Sequence, residues 1–266
     1  MDTYAWLTDP HLDFLTTDAL EVFAHTVGEE AVQGLFITGD IAEADSVIPC
    51  LKVLRNHIEF PIYFVLGTHD YYGAAIDDVS VRVDAWSQGV TGVHWMPSVG
   101  VVALSSTTAL VGHGGWADGR VGNFLGSSIV LNDYRKITDL VGLTPRARLA
   151  RLQSLGTQAA TQLAPDLRAA LTRYEEVIVL THVPPFQEAC WYQGRNDCNE
   201  WTPHFTCGAM GALLLRVAAE FSHRRIRVLC GHTHHGGVAE MAPNLTVITG
   251  AAEYGQPRLL KPIECM

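Results

Sequence analysis

Five short clusters of Asp and His punctuate the 266-residue chain: Asp9-Pro10-His11, Gly39-Asp40, Gly67-Thr68-His69-Asp70, His182 and Gly231-His232-Thr233-His234. Carboxylate oxygens and imidazole nitrogens are the ligands that hold Zn, Mn or Fe, and one carboxylate can bridge two ions. The chemistry such a set points to is hydrolysis. Two neighbouring cations lower the pKa of a water between them, so hydroxide is present at neutral pH to attack phosphorus, and they neutralise charge as it develops on the phosphoryl oxygens. Taken singly, each cluster has a plainer reading: Asp9 and Asp40 as caps or turn residues, the glycines as positive-φ turns, His182 before Pro184-Pro185 as a loop histidine. Taken in order, each at the end of an apolar run, they favour metal ligation.

A set of short buried strands must position these groups. Apolar runs at 4–8, 35–38, 62–66, 101–105, 177–181, 227–230 and 246–249 are rich in Val, Ile, Leu and aromatics and are bounded by Gly, Pro or Asp. Helical spacing covers 17–27, 46–58, 144–174 and 207–222, with a break expected at Pro165. Strands alternating with helices predict a layered α/β fold, and with no repeat, low-complexity tract or Gly/Ser linker the chain reads as one domain over 1–266. Asp9, Asp40, Gly67, His182 and Gly231 all fall at, or within two residues of, the carboxyl end of a strand. That edge is where open α/β sheets bind ligands. Two longer segments, 113–135 and 184–208, read as loop insertions over the same edge, acting as walls or lids. They carry Trp116, Arg120 and Arg195 as candidate substrate contacts, the arginines because a guanidinium fork suits phosphate oxygens.

Composition narrows the class. With 48% apolar and 17% charged residues the chain is globular, and its formal charge of −10 argues against a broad nucleic-acid surface built from clustered Lys and Arg. The N-terminus lacks the pattern of a signal peptide, and no apolar run reaches the roughly twenty residues that span a bilayer, so the expectation is a cytoplasmic protein without membrane contact. Six cysteines lie without CxxC spacing. Cys190, Cys198 and Cys207 share a segment with His204, where a structural or redox role competes with the commoner one of small buried hydrophobes.

The set D-x-H, G-D, G-x-H-D, H and G-H-x-H resembles the signature of the calcineurin-like metallophosphoesterase superfamily over positions 9 to 234. The resemblance implies a four-layer α/β/β/α sandwich with two metal ions, Mn, Zn or Fe, at the carboxyl ends of the central strands, and a small phosphate ester as substrate. It implies Asp9, His11 and His234 on the first metal, Asp40 bridging, and His182 and His232 on the second. His69 would be the general acid near the leaving group, titrating near neutrality, with Asp70 orienting its ring. One ligand departs from the pattern: Thr68 stands where that family has Asn, and its shorter, weaker hydroxyl is expected to hold the second metal less tightly. Protein serine/threonine phosphatases of the superfamily also pair the G-D block with a nearby Arg that clamps a phosphate dianion, whereas Asp40 here is followed by Ile41-Ala42-Glu43-Ala44-Asp45. A phosphodiester, whose poor leaving group needs a proton, is therefore the expected substrate. A phosphomonoester is the alternative, and Thr68 leaves a weakened or non-catalytic metal-binding scaffold as a third reading.

Overall fold

The computed structural model describes residues 2–196 and 200–265. Its first half comprises β1 (Asp2–Leu7), α1 (Thr17–Gly28), β2 (Leu35–Thr38), α2 (Val47–His57), β3 (Ile62–Val65), α3 (Ile76–Gln88), β4 (Val93–Trp95) and a single turn, α4 (Met96–Val99). The second comprises β5 (Val102–Ala103), β6 (Thr108–Gly112), α5 (Asp133–Lys136), α6 (Pro145–Arg173), β7 (Glu176–Leu180), α7 (Thr202–Phe205), α8 (Gly208–Glu220), β8 (Arg225–Cys230), β9 (Gly237–Ala242), β10 (Leu245–Thr249) and β11 (Ile263–Cys265).

One sheet has the order β11-β1-β2-β3-β4, with β1 to β4 parallel and β11 antiparallel at the edge. The other runs β5-β6-β7-β8-β10-β9, with a parallel centre and antiparallel edges. The central strands are apolar over most of their length because both faces are covered, with Glu176 of β7 and Arg225 and Arg227 of β8 confined to the amino ends. Alternate residues then serve different layers. Leu35, Ile37 and Phe64 join the core with Leu20 of α1, Leu51 of α2 and Val79 of α3, while Phe36, Tyr63 and Val65 meet Leu110, Ile178 and Leu229 between the sheets. Beyond the second sheet, Val177 and Val179 pack with Leu163 and Leu167 of α6 and Leu214 of α8. The layers are thus α/β/β/α, the arrangement that the resemblance implied.

Two expectations about elements are corrected, and one helix was not anticipated. Pro165 does not break α6, which runs unbroken over 29 residues. The proline forfeits one amide hydrogen bond, yet the buried stripe of Leu155, Ala159, Leu163, Leu167 and Ala170 continues on both sides of it and holds the helix on the sheet. The run at 101–105 yields only the two-residue edge strand β5, and the central strand is the fully buried β6. Between them Ser105 Oγ accepts from the amides of Thr107 and Thr108, closing a turn. Helix α3 went unread because its buried Ile76, Val79 and Val83 are interspersed with Asp77, Asp78 and Asp84. Among the described residues, no helix is long and apolar enough to cross a membrane.

Candidate metal centre

The parallel register Ala5↔Leu35↔Ile62 brings the carboxyl ends of β1, β2 and β3 level, and β7 and β8 run in register in the facing sheet. The loops that leave these five strands meet. Asp9, His11, Asp40 and His234 each bring one ligand atom within 4.8 Å of the others, and Asp40, His182 and His232 form a second group that shares Asp40. The backbone is bent to achieve this. Asp9, His11, Asp40, His232 and His234 all have left-handed φ, between 41° and 71°, and among the described non-glycine residues only Gln193 joins them. Such conformations cost on the order of 1–3 kcal/mol each and persist where the surroundings impose them, characteristically at functional sites.

Neighbouring groups fix the imidazole tautomers. His182 Nδ1 lies 2.9 Å from the carbonyl of Thr38, so it carries the proton, and Nε2 is left bare 3.2 Å from Asp40 Oδ1. His232 Nε2 faces the carbonyl of His204 at 3.4 Å, leaving Nδ1 bare 3.1 Å from His182 Nε2. His11 Nε2 and His234 Nε2 also approach to 3.1 Å. The two bare nitrogens of the His182–His232 pair repel one another at this separation and are reconciled by a cation that accepts both lone pairs. The charges agree. Burial raises the Asp9 carboxyl to about 7, and burial together with the charges of Asp9 and Asp70 raises Asp40 well above the carboxylate range. Burial lowers His11 to about 2 and His232 and His234 to about 4. The donor set therefore fits two metal ions: neutral imidazoles and buried carboxylates converge in two groups that share Asp40.

Thr68 is buried, and its Oγ1 has no hydrogen-bond partner of ordinary geometry. His69 is tied to the cluster by its backbone amide, 2.9 Å from Asp40 Oδ1. Its ring stacks on Tyr72 at 4.3 Å and meets His11 edge-on at 4.6 Å. Burial lowers its pKa to about 4, with the charge of Asp133 pulling the other way, so the expectation of titration near neutrality does not hold for the free site. Asp70 does not orient that ring. Its Oδ1 accepts from the amides of Ile41 and Ala42, and its Oδ2 from the amide of Gly67. It lashes the loop after β2 to the loop after β3, because the tight turn at 69–71 directs its side chain back beneath the loops.

A cavity of about 250 Å³ opens over the cluster, lined by Asp40, Thr68, His69, His232 and His234 together with Tyr72, Asp133, Phe205 and Tyr254. The insertions at 113–135 and 184–208 contribute Asp133 and Phe205, whereas the three residues expected from them to bind substrate go elsewhere. Trp116 is buried against Tyr71 at 5.2 Å and lines a separate cavity between α3 and α6. Arg120 binds Asp118, Gln153 O and Thr157 on α6, while Asp118 caps α8 through the amides of Gly208 and Ala209. That cluster fastens the insertion to the helices. Arg195 is exposed in a turn closed by its backbone bonds to Tyr192, away from the cavity lining. Cys190 and Cys207 are free, buried thiols that burial raises to about 12, and Cys198 lies outside the described residues. Tyr254 was missed, though it carries the same signal as the ligands. It sits in the loop after the parallel strand β10, and its ring covers His11 at 4.4 Å and His234 at 4.7 Å. Asp133 has no such signal in its neighbourhood.

Among solved structures the fold is similar to that of phosphopantetheinyl hydrolase from Mycobacterium tuberculosis, at 15% identity over 97% of this chain and 95% of that one, with a TM-score of 0.61. It is also similar to a dimetal phosphatase from Danio rerio (16% identity, 94% and 87% covered, TM-score 0.57). A third likeness is to GAP50, the anchor in the inner membrane complex of Plasmodium (15% identity, 94% and 71% covered, TM-score 0.52). At such identities these likenesses speak to the fold alone. Comparison with curated proteins finds no match. The family model described as calcineurin-like phosphoesterase matches residues 3–236, which takes in every candidate ligand of the cluster, and the chain belongs to that family.

Proposed function

We propose that this protein hydrolyses phosphodiester bonds in small molecules, with His69 delivering the proton to the leaving alkoxide. The observation that carries this reading is the lining of the cavity over the metal cluster. Among the described residues that line it are His69, the aromatic Tyr72, Phe205 and Tyr254, and the polar Asn132 and Asp133, and none is Lys or Arg. A phosphomonoester dianion would meet no cationic clamp there, whereas a diester carries one charge less and needs an acid for its leaving group.

Asp9, His11 and His234 would hold one metal, His182 and His232 the other, with Asp40 shared. Bound there, two Mn, Zn or Fe ions would activate water and neutralise charge on the phosphoryl oxygens. The protein's own groups do the rest. Thr38 O and His204 O hold the rings of His182 and His232 in the ligating tautomer. Tyr72 and the Asp40 carboxylate hold His69 in place, one by stacking and the other through its backbone amide. The imidazole is neutral at pH 7 in the free site, and an anionic ester seated beside it raises its pKa, so that it takes up the proton it later donates. Tyr254 and Phe205 would bracket the ester's organic groups.

The test is hydrolysis of bis(p-nitrophenyl) phosphate beside p-nitrophenyl phosphate, in chelated protein titrated with Mn²⁺ and then Zn²⁺. The diester should be preferred, and His69→Asn should lower its turnover by about 10²- to 10⁴-fold, the ordinary contribution of general acid catalysis. Preferred monoester turnover would replace this reading with a monoesterase. No turnover of either ester at saturating metal would leave a metal-binding scaffold.

A further inference from the structure

We propose that Asp133 supports the second metal site, its buried carboxylate standing beside Thr68, whose side chain is too short to fill the ligand's place. This rests on the two-metal reading above and extends it to a residue from outside the five clusters.

Three observations converge on Asp133. The first is its neighbour: Thr68, only 3% exposed, lines the cavity, and its Oγ1 makes no hydrogen bond of ordinary geometry although it interacts with the Asp133 carboxylate. A buried hydroxyl with so imperfect a bond is poorly compensated, so that position is one where a further group is wanted. The second is the way Asp133 is delivered. It opens α5 at the end of the 113–135 insertion, is 7% exposed, and lines the same cavity as Thr68, Asp40 and His232. Tyr72 Oη donates to its Oδ1 at 2.5 Å, fixing the carboxylate from one side. The third is its electrostatic setting: the neighbour that favours its charge is the imidazole of His69, and among the described residues no Lys or Arg is seen paired with it. A buried carboxylate held by a phenol, a hydroxyl and an imidazole has no full positive charge beside it, and a cation is the compensation that its surroundings offer.

Tyr72 connects the site further. The same ring that anchors Asp133 stacks on His69, so the carboxylate and the acid are carried by one side chain. Asp133 lies outside the two groups whose ligand atoms sit within 4.8 Å of one another, which makes it a supporting group of the second ion rather than a member of the primary cluster. Groups in that supporting position characteristically change metal affinity by 10- to 100-fold.

The experiment is calorimetric titration of the chelated full-length protein with Mn²⁺, accompanied by its thermal melt without metal. The wild type should take up two equivalents. Asp133→Asn should keep the first at unchanged affinity and weaken the second by about 10- to 100-fold. Adding Thr68→Asn to that variant should restore the second equivalent in part. Should Asp133→Asn melt too low to titrate, Tyr72→Phe keeps the ring on His69 but removes the carboxylate's anchor, and it too should weaken only the second equivalent. Two equivalents of wild-type affinity in Asp133→Asn, or in Tyr72→Phe if it must stand in, overturn the proposal. Equal loss of both in a protein whose metal-free melt is unchanged also overturns it, since Asp133 would then serve the whole cluster. Uptake of a single equivalent by the wild type would instead overturn the two-metal reading itself, a result distinguishable from failure at Asp133.

Discussion

Gly67→Ala places one methyl group against the shared ligand and so tests the geometry of the whole centre. A Cβ at residue 67 would lie 2.2 Å from Asp40 Oδ1, 2.5 Å from Asp40 N and 2.7 Å from His182 Cε1. Ordinary contact begins at 3.4 Å, so the Asp40 carboxylate must move by roughly 1 Å. It cannot simply rotate clear, because the backbone nitrogen of the same residue is also too close. Overpacking of this kind costs about 1–3 kcal/mol in stability. A misplacement of about 1 Å in a reacting assembly costs about 10²-fold in rate. Diester kcat/KM at saturating Mn²⁺ should therefore fall about 100-fold, with both metal equivalents weakened, because Asp40 is shared. Gly89→Ala is the control, since its Cβ meets nothing nearer than 3.5 Å and its φ of −86° suits any residue. A Gly67→Ala protein that binds two Mn²⁺ as the wild type does and turns over within about threefold of it would refute the assignment of Asp40 and His182 as ligands in this arrangement.

Three further outcomes follow from particular contacts. Asp70→Ala removes three acceptors from buried backbone amides, and it should destabilise the metal-free protein by about 2–4 kcal/mol in denaturant unfolding; a loss of activity without loss of stability would contradict the role given to Asp70 here. His204 is buried between Tyr134 Oη at 2.6 Å and Ser127 Oγ at 3.0 Å, and burial, then the charge of Arg148, lowers its pKa to about 4. Its contribution to stability is complete above 6.5 and is lost as pH falls through about 4. The melting temperature of chelated His204→Gln should thus decline less steeply than that of the wild type between those limits, and parallel declines would count against a neutral imidazole. Tyr254→Ala should raise KM for an aryl diester by about 2- to 10-fold, the worth of one aromatic contact, with kcat nearly unchanged; an unchanged KM would remove Tyr254 from the substrate wall.

Much of the candidate centre is legible in the sequence because its candidate ligands obey a local rule. An apolar run followed at once by Asp9, Gly39-Asp40, Gly67, His182 or Gly231 places those residues at a strand's carboxyl end, and parallel register makes those ends level. The order of layers is local in the same sense, since strands covered on both faces alternate with helices apolar on one. What chain order does not carry is where a side chain turns once it leaves the strand. Asp70 adjoins His69 in the chain, yet it bonds the amides of Ile41, Ala42 and Gly67, because the turn between them sends the two side chains apart. Trp116 and Arg120 lie in the expected insertion but are drawn to Tyr71 and to α6, where burial and ion pairing hold them. Asp133 reaches Tyr72 across 61 residues, and only the docking of the insertion on the first sheet's edge puts its carboxylate beside Thr68. The types of the candidate ligands and their strand-end positions were determined by the sequence itself, through local patterning. Their ring tautomers, the left-handed backbone that aims them and the groups that close over them were decided by tertiary structure, because each depends on an atom brought from a distant part of the chain.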